Sequence, residues 1–475
     1  MANHQPRVFG NGVAATLLFS VVIAGCGASA GIQTEETSSA TTKVPPQIGE
    51  SAQYIVEASA ARGPSAAALA ASADGLEKLP VLQFKDIEYI GAFRAPELPY
   101  TGNVCDTLTY AGRGLAFDPT GNSGAGSLFL TGHANCGARV AEISIPEAIN
   151  AASIETLKRA TLLQNRPSPL PDALEGQLAS SGISGGATTT VNGLLIDGGL
   201  LVISAGNDYT HSQPVSHWKR PKDLSINGQV SRPVAVRGDK SFTDPRGTAG
   251  YMCNVPRGLQ EALGAPALTG WVADSIVTAT SDGPAAFAFD PAALGKSGSQ
   301  TVQTLLFYPD GHSLEPSIAG KSNKTWNWTS TARGCAVPDG TRTVLFLGSH
   351  GTGPFLYGVG GPNGRTTDQP HQPIYDPADT STGEHAWPYR YQVWAYDALD
   401  LARVRRGTLA PHAVKPYGVW QFSLPLERRD DRHHVGGVAY DPAARKLYFI
   451  QQSAGPFGEI AIHVFQITRN PDAAK

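Results

Sequence analysis

A pattern of three strands near the end of the chain constrains the fold more than any other feature. In residues 434–467, three runs rich in Val, Ile, Tyr and Phe are separated by DPAAR and SAGPFG. Short runs of this kind, broken by Gly, Pro and Asp, are typical of antiparallel hairpins. Similar units occur upstream in residues 112–163, 192–236, 253–307 and 333–422, and each of them adds a fourth strand.

The repeated unit predicts an all-β fold, a β-propeller. Units of this size cannot each bury both faces alone, but five of them arranged radially can. The 53 Gly and 35 Pro residues suit many short strands joined by tight turns. A β-sandwich with extra hairpins, or a propeller with six or seven blades, are the alternatives.

The last unit lacks a fourth strand, and the start of the ordered chain supplies one. Residues 87–94 (IEYIGAFR) form the first predicted strand, and nothing before them would pair with it. We therefore predict five four-stranded blades closed by this N-terminal strand. It should pair with residues 460–467.

The N-terminus has the pattern of a targeting segment. Residues 13–24 (VAATLLFSVVIA) are an apolar run too short to span a membrane comfortably. The end of this run overlaps the motif Ile23-Ala24-Gly25-Cys26. This motif resembles the lipobox of bacterial lipoproteins, in which cleavage precedes the Cys and acyl chains are attached to it. The alternative is a secretory signal with an unrelated Cys. Residue 27 is Gly and not Asp, so the resemblance to Gram-negative lipoproteins implies the outer membrane.

The resemblance divides the chain into three parts. Residues 1–25 would be the signal peptide, and residues 26–78 would be lipidated Cys26 with a tether rich in Ser, Thr and Ala. Residues 79–475 would be the propeller domain. In general layout the chain resembles exported bacterial propeller lipoproteins, although it matches no characterised member residue by residue.

The remaining cysteines fit an oxidising compartment. Cys105, Cys136, Cys253 and Cys335 are even in number, which favours disulfides outside the cytoplasm. Of the three possible pairings we favour Cys105–Cys136 and Cys253–Cys335, and four buried free thiols are the alternative.

The predicted strand order sorts the connections onto two faces. The turns between first and second strands are short and plain, whereas those between second and third strands, and between units, are long and polar. Function usually lies in such loops on a rigid scaffold. We therefore place the site on the long-loop face. Its candidate catalytic residues are Asp208, Asp282, Asp431 and His434, and its candidate ligand-binding residues are His133, His211, His350, His433, Arg246, Trp326 and Trp328.

These residue types indicate several chemistries. Imidazoles and carboxylates can perform acid–base catalysis or hold a divalent metal, although no short metal-binding motif is present. Arginines recognise carboxylates, and exposed aromatic rings stack on sugars. For each residue a purely structural role is the alternative: capping a strand, pairing with a neighbouring blade or covering a loop.

Two functions compete at this stage. The first is a cell-envelope binding module for a glycan, an anionic small molecule or a protein partner. The second is an extracytoplasmic glycan hydrolase or lyase that uses carboxylates and histidines at the propeller mouth. The net charge of −3 argues against nucleic acid as a partner. We expect a monomer attached to the membrane by its lipid.

Overall fold

A computed structural model describes residues 75–133, 139–164, 189–207, 213–226, 230–239, 242–272, 281–367, 371–426 and 433–469. The chain divides into two parts, Met1–Ala61 and Arg62–Lys475, and all the described residues belong to the second. This second part is an all-β fold, and its described residues include the short α-helices α1 (Arg257–Leu263) and α2 (Ala398–Arg405).

The strands are short and follow the apolar runs of the sequence. In chain order they are β1 (Ile87–Arg94), β2 (Leu115–Asp118), β3 (Ser127–Thr131), β4 (Val140–Ser144), β5 (Leu162–Gln164), β6 (Thr189–Asp197), β7 (Leu200–Asn207), β8 (His217–Pro221), β9 (Ala235–Gly238), β10 (Met252–Asn254), β11 (Ala267–Thr269), β12 (Ala286–Phe289), β13 (Ser299–Leu306), β14 (Thr331–Ala336), β15 (Thr343–Gly351), β16 (Leu356–Val359), β17 (Gly361–Thr366), β18 (Pro373–Asp376), β19 (Thr382–His385), β20 (Tyr389–Asp397), β21 (Gly418–Phe422), β22 (Val435–Asp441), β23 (Lys446–Gln451) and β24 (Ala461–Ile467).

These strands form six sheets, none of which closes on itself. Sheet I has the order β2-β3-β4-β5, sheet II β6-β7-β8, sheet III β10-β11-β12-β13-β9, sheet IV β14-β15-β20-β21 and sheet V β22-β23-β24-β1. The sixth sheet, β18-β17-β16-β19, is inserted between β15 and β20 and is called the inserted sheet below.

The predicted pairing between the two ends of the domain is confirmed. Strand β1 lies antiparallel to β24, with Ile87 opposite Ile467 and Arg94 opposite Ala461. Just beyond this ladder, the Thr468 amide donates to the Asp86 carbonyl at 2.9 Å. Strand β1 therefore supplies the fourth strand that the last unit lacks.

Two parts of the sequence prediction need correction. The strand at the end of the second unit, β9, pairs in parallel with β13 of sheet III, and only an isolated bridge joins Val234 to His217 of sheet II. The Gly-rich stretch of residues 351–364 lies within a long connection of the fourth predicted unit, and it contains β16 and part of β17 of the inserted sheet.

The core lies between the sheets. Every residue of β3 and of β15 is buried, as expected for strands covered on both faces. Five apolar clusters each join two neighbouring sheets: I and II through Phe129 and Trp218, II and III through Val202 and Phe287, III and IV through Leu305 and Phe346, IV and V through Leu345 and Phe449, and V and I through Ile450 and Leu128.

The first strands of the five units lie side by side. Strand β2 neighbours β6 and β22, β10 neighbours β6 and β14, and β14 neighbours β22. Small residues allow this approach: a Cβ on Gly193 would lie 2.2 Å from the Gly250 carbonyl oxygen. The Gly437 amide likewise donates to the Gly112 carbonyl at 2.7 Å. Any side chain at Gly193 would force neighbouring strands apart.

The cysteines and the start of the domain can be compared with the sequence prediction. Cys253 and Cys335 form the predicted disulfide, which links β10 to β14. Cys105 is also disulfide-bonded, while Cys136 and Cys26 lie outside the described residues. Leu76, inside the predicted tether, is buried in the cluster between sheets III and IV. The domain therefore begins a few residues before Leu79. In the described ranges, no helix is long and apolar enough to cross a bilayer.

Candidate functional site

Some predicted site residues lie outside the described residues. They are Asp208, His211 and Asp431. The separation between Asp208, Asp282 and Asp431, on which the glycosidase hypothesis depended, therefore stays a prediction.

Several other predicted site residues belong to the packed interior. His350 has no exposed surface: Ser330 lies 2.8 Å from its Nδ1, and the Asn323 carbonyl lies 3.1 Å from its Nε2. Trp326 packs against the Trp394 ring at 5.1 Å. These contacts give His350 and Trp326 a structural role, because they hold the connection from β13 to β14 against sheet IV.

Four other predicted site residues lie in different parts of the fold. His433 is buried with its ring against Tyr391, whereas the adjacent His434 is exposed. His133 is buried beside the Tyr110 ring, and burial, followed by the charge of Arg139, lowers its pKa. The buried Arg246 guanidinium lies over the rings of Phe242 and Trp271, 5.5 and 5.8 Å from their centroids.

Two predicted residues, Asp282 and Trp328, do come together, in a cleft with a volume of about 650 Å³. Three segments build this cleft: the residues before β12, the connection from β13 to β14, and the residues before β21. Its lining comprises Asp282, Asp310, Gly311, His312, Ser313, Pro316, Ser317, Trp328, His412, Ala413 and Lys415.

Backbone hydrogen bonds fix Asp282 at the wall of the cleft. Its amide donates to the Tyr308 carbonyl at 2.8 Å, and its carbonyl accepts from the Leu314 amide at 2.9 Å. The Ser313 hydroxyl donates to the Asp282 carboxylate at 3.0 Å. These bonds tie the connection after β13 to the segment before β12 and hold the carboxyl group of Asp282 in place.

The Asp282 carboxyl is electrostatically perturbed. Burial raises its pKa, and the negative charge of nearby Asp310 raises it further, while Ser313 and the indole of Trp328 act in the opposite direction. A carboxyl group with a raised pKa beside a second carboxylate is the arrangement from which a general acid is made. It also provides acceptors for sugar hydroxyls.

Trp328 supplies the aromatic surface of the cleft. Its side chain is 44% exposed, which is unusual for so large an apolar group. The Phe355 ring meets it edge-on with 5.6 Å between centroids, and the Trp328 amide donates to the Ser317 hydroxyl at 3.1 Å. The indole is thus held in position and still open to a ligand.

A basic cluster of His312, His412 and Lys415 faces the same cleft. The two imidazole rings stack with 4.0 Å between centroids and 23° between planes. Lys415 donates to the Leu314 carbonyl at 3.4 Å, and its ammonium lies 5.3 Å from the centroid of the Tyr308 ring. Sequence reasoning missed His412 and Lys415, because it sought the site in the connections between second and third strands and between units. The connection before β21 instead joins the third strand of sheet IV to the fourth. The only signal was a His and a Lys in a Pro-bounded segment (PHAVKP).

A second cavity, of about 230 Å³, lies where the first strands of the five units meet. Leu115, Leu195, Met252, Ala336 and Val438 each contribute from a different strand, and most of the lining is apolar. Asp339 and Pro442, from two of the plain turns, also line it. Polar groups for catalysis are therefore concentrated in the cleft and not in this cavity.

Metal binding finds no support in the part of the chain that the structure describes. In that part, no group of three or more His, Cys, Asp and Glu side chains has an arrangement that could hold a metal ion.

No protein-family model matches the chain, and no curated protein matches it. Among solved structures, a glycosyl hydrolase from Bacteroides ovatus is similar over 82% of this chain and 94% of its own, at 10% identity and a TM-score of 0.33. A member of the DUF4221 family from Bacteroides vulgatus is similar over 80% of this chain and 98% of its own, at 9% identity and a TM-score of 0.29. Likenesses this weak decide neither fold nor function.

Proposed function

We propose that this chain is a cell-envelope lipoprotein that binds a glycan in the cleft lined by Asp282, Asp310 and Trp328. The observation that carries the proposal is the exposed, immobilised indole of Trp328 beside two carboxyl groups in an open cleft of about 650 Å³. Aromatic faces pack on the C–H groups of sugar rings, and carboxylates accept hydrogen bonds from hydroxyls. Pockets that combine apolar surface with a few fixed polar groups are the usual form of small-ligand sites.

The domain that presents this cleft is, in our proposal, a five-bladed β-propeller with sheets I–V as its blades. Support comes from the cyclic series of neighbours among β2, β6, β10, β14 and β22, and from the five apolar clusters between successive sheets. The pairing of β1 with β24 would close the ring. The inserted sheet would be an addition to the fourth blade.

The proposed address depends on the sequence Ile23-Ala24-Gly25-Cys26. We infer acylation at Cys26, with the domain held at the outer membrane by its lipid. Metabolic labelling with a fatty acid tests this: the parent chain should be labelled and found in the membrane fraction, whereas Cys26→Ala should be neither. A Cys26→Ala protein that is still labelled would overturn the inference.

Glycan binding can be measured by calorimetry or affinity electrophoresis on a polysaccharide panel. We expect Trp328→Ala to weaken binding of the best ligand at least about tenfold, which corresponds to about 1.4 kcal/mol. Tyr100→Ala, which removes an exposed aromatic ring from a different groove, is the matched control and should leave affinity unchanged. Equal loss in both variants, or no loss in either, would contradict the assignment of the cleft.

A glycan hydrolase is the second candidate, and the raised pKa of Asp282 beside Asp310 favours it. In that case protonated Asp282 would donate to the leaving oxygen, and Asp310 would act as base or nucleophile. Asp282→Asn should then abolish release of reducing ends while glycan binding persists. If the parent protein binds a glycan without cleaving it, the binding module alone remains.

A further inference from the structure

We propose that the glycan bound in the cleft is acidic, and that its carboxylate or sulfate group binds at the basic cluster of His312, His412 and Lys415. The inference rests on the proposed glycan-binding function and names the class of ligand. The starting observation is geometric: two imidazoles from segments one hundred residues apart in sequence (312 and 412) stack at 4.0 Å on the wall of the cleft that holds Trp328.

The stacking brings groups of like charge together. Burial lowers the pKa of His412, and the charges of His312 and Lys415 lower it further. Burial also lowers the pKa of Lys415. Each added proton in the cluster therefore meets a repulsive field, and an anion placed beside the rings would relieve it.

The other charged groups of the cleft define where such an anion would lie. Asp282 reaches the cleft from the segment before β12, Asp310 from the connection after β13, and Lys415 from the segment before β21. An anionic substituent would be repelled by the two carboxylates and attracted by the basic cluster. A neutral sugar ring with hydroxyls suits the carboxylates and Trp328. The charges of the cleft thus orient an acidic glycan, with its anionic group at the basic cluster and its neutral ring beside the carboxylates and Trp328.

The anchoring of Lys415 keeps the cluster in place. Its ammonium is held over the Tyr308 ring, and the Tyr308 hydroxyl donates to the Val414 carbonyl at 2.6 Å. This backbone sits between His412 and Lys415, so the basic residues share one rigid support. His312 is exposed at the rim of the cleft, where a ligand can reach it.

Binding should be linked to protonation with a definite sign. An anion at the cluster raises the pKa of His412 from its lowered value, so the complex takes up a proton. Affinity for an acidic glycan should therefore rise as the pH falls from about 7.5 to about 5.5, where uronate and sulfate groups remain ionised. Affinity should also fall as salt rises, because the cluster is open to solvent.

The test compares the full chain on polygalacturonate and on the same polymer with its carboxyl groups methyl-esterified. We expect the free acid to bind at least about tenfold more tightly at low pH. A sulfated polysaccharide and its desulfated form provide a second matched pair, which distinguishes sulfate from carboxylate as the preferred group.

Variants then separate the cluster from the rest of the cleft. The double substitution His312→Asn and His412→Asn should remove both the preference for acid and its pH dependence, while binding of the neutral ester persists. Lys415→Gln should reduce the preference without removing the pH dependence. Thermal melting of each variant verifies that the domain is folded.

The outcomes distinguish this inference from the function on which it rests. If the ester and the free acid bind equally, and both lose affinity in Trp328→Ala, the glycan site stands and the acidic preference is refuted. An acid preference that survives in the double variant refutes the role of the cluster. If neither polymer pair nor any other glycan binds, the proposed function itself fails.

Discussion

A buried carboxylate in the inserted sheet offers a sharp test of the described contacts. Asp376 and His385 have almost no exposed surface. One oxygen of Asp376 lies 2.8 Å from His385 Nδ1 and accepts from the Tyr389 hydroxyl at 2.6 Å, and the other accepts from the Ala378 amide at 3.1 Å. His385 Nε2 in turn faces the carbonyls of Gly358 and Ser381, each at 3.3 Å. The carboxylate therefore ties three strands of the inserted sheet to β20.

The change Asp376→Ala removes the three bonds to the carboxylate and leaves buried donors without their acceptor. Leaving one buried donor without its acceptor costs about 1–3 kcal/mol, and because several donors lose theirs at once we expect a loss of about 3–5 kcal/mol. Tyr389→Phe removes a single bond to the carboxylate and should cost about 1.5–3 kcal/mol. Asp400→Ala, which breaks an i,i+3 surface pair with Arg403, is the matched control and should cost a few tenths of a kcal/mol.

Hydrogen exchange of the backbone amides in β16 and β19, together with urea unfolding, measures these differences. Exchange of the inserted sheet should accelerate in the order Asp400→Ala, Tyr389→Phe, Asp376→Ala, while amides of sheet I remain protected. If Asp376→Ala is no more destabilised than Asp400→Ala, the network does not hold the inserted sheet in place.

Further predictions concern the whole domain. Deleting Ile87–Arg94 removes one of the two strands that pair with β24 and exposes its edge, so the chain should lose its cooperative thermal transition; a deletion protein that melts like the parent would contradict the role of β1. Cys253→Ser opens a disulfide across 82 residues, and loop entropy predicts a loss of about 4–5 kcal/mol in urea unfolding relative to the parent under non-reducing conditions. Burial lowers the pKa of His217 and His463 to about 3 and that of His350 to about 4. The unfolded chain therefore binds more protons below about pH 6.5, and the free energy of unfolding should fall from there towards about pH 4. A flat urea profile over this window would refute that linkage.

Long-range features were predictable where the sequence left one solution. A single unpaired strand at each end of the domain predicted the β1–β24 ladder. The even cysteine count left three pairings, and the favoured one contains the observed Cys253–Cys335 bond. Pro256 and Gly264 also marked the ends of α1, because Gly264 adopts the left-handed conformation at the helix end.

Features that depend on tertiary packing could not be predicted. Strand β9 is too short to specify its partner, so contact with β13 decides it. In β17, Gly361 and Gly364 lower the intrinsic strand preference, which only the pairing within the inserted sheet overcomes. In the cleft the ring of His312, which lies between the third and fourth repeated units, stacks on that of His412 in the fourth. No spacing rule in the sequence relates these two residues.

The β1–β24 ladder also determines how the domain would respond to mechanical load. Under the proposed anchorage at Cys26, tension enters through the residues before Ile87, whose partner Ile467 is the last residue of β24. Force applied at this corner peels the ladder open one hydrogen bond at a time and does not shear all of its bonds together. Residues 76–86 lie before β1 and are themselves packed, with Leu76 and Leu82 buried, so their contacts yield first and the ladder follows. A circular permutant with these ends joined, and with new ends in the turn between β22 and β23, would place the same load on a different strand.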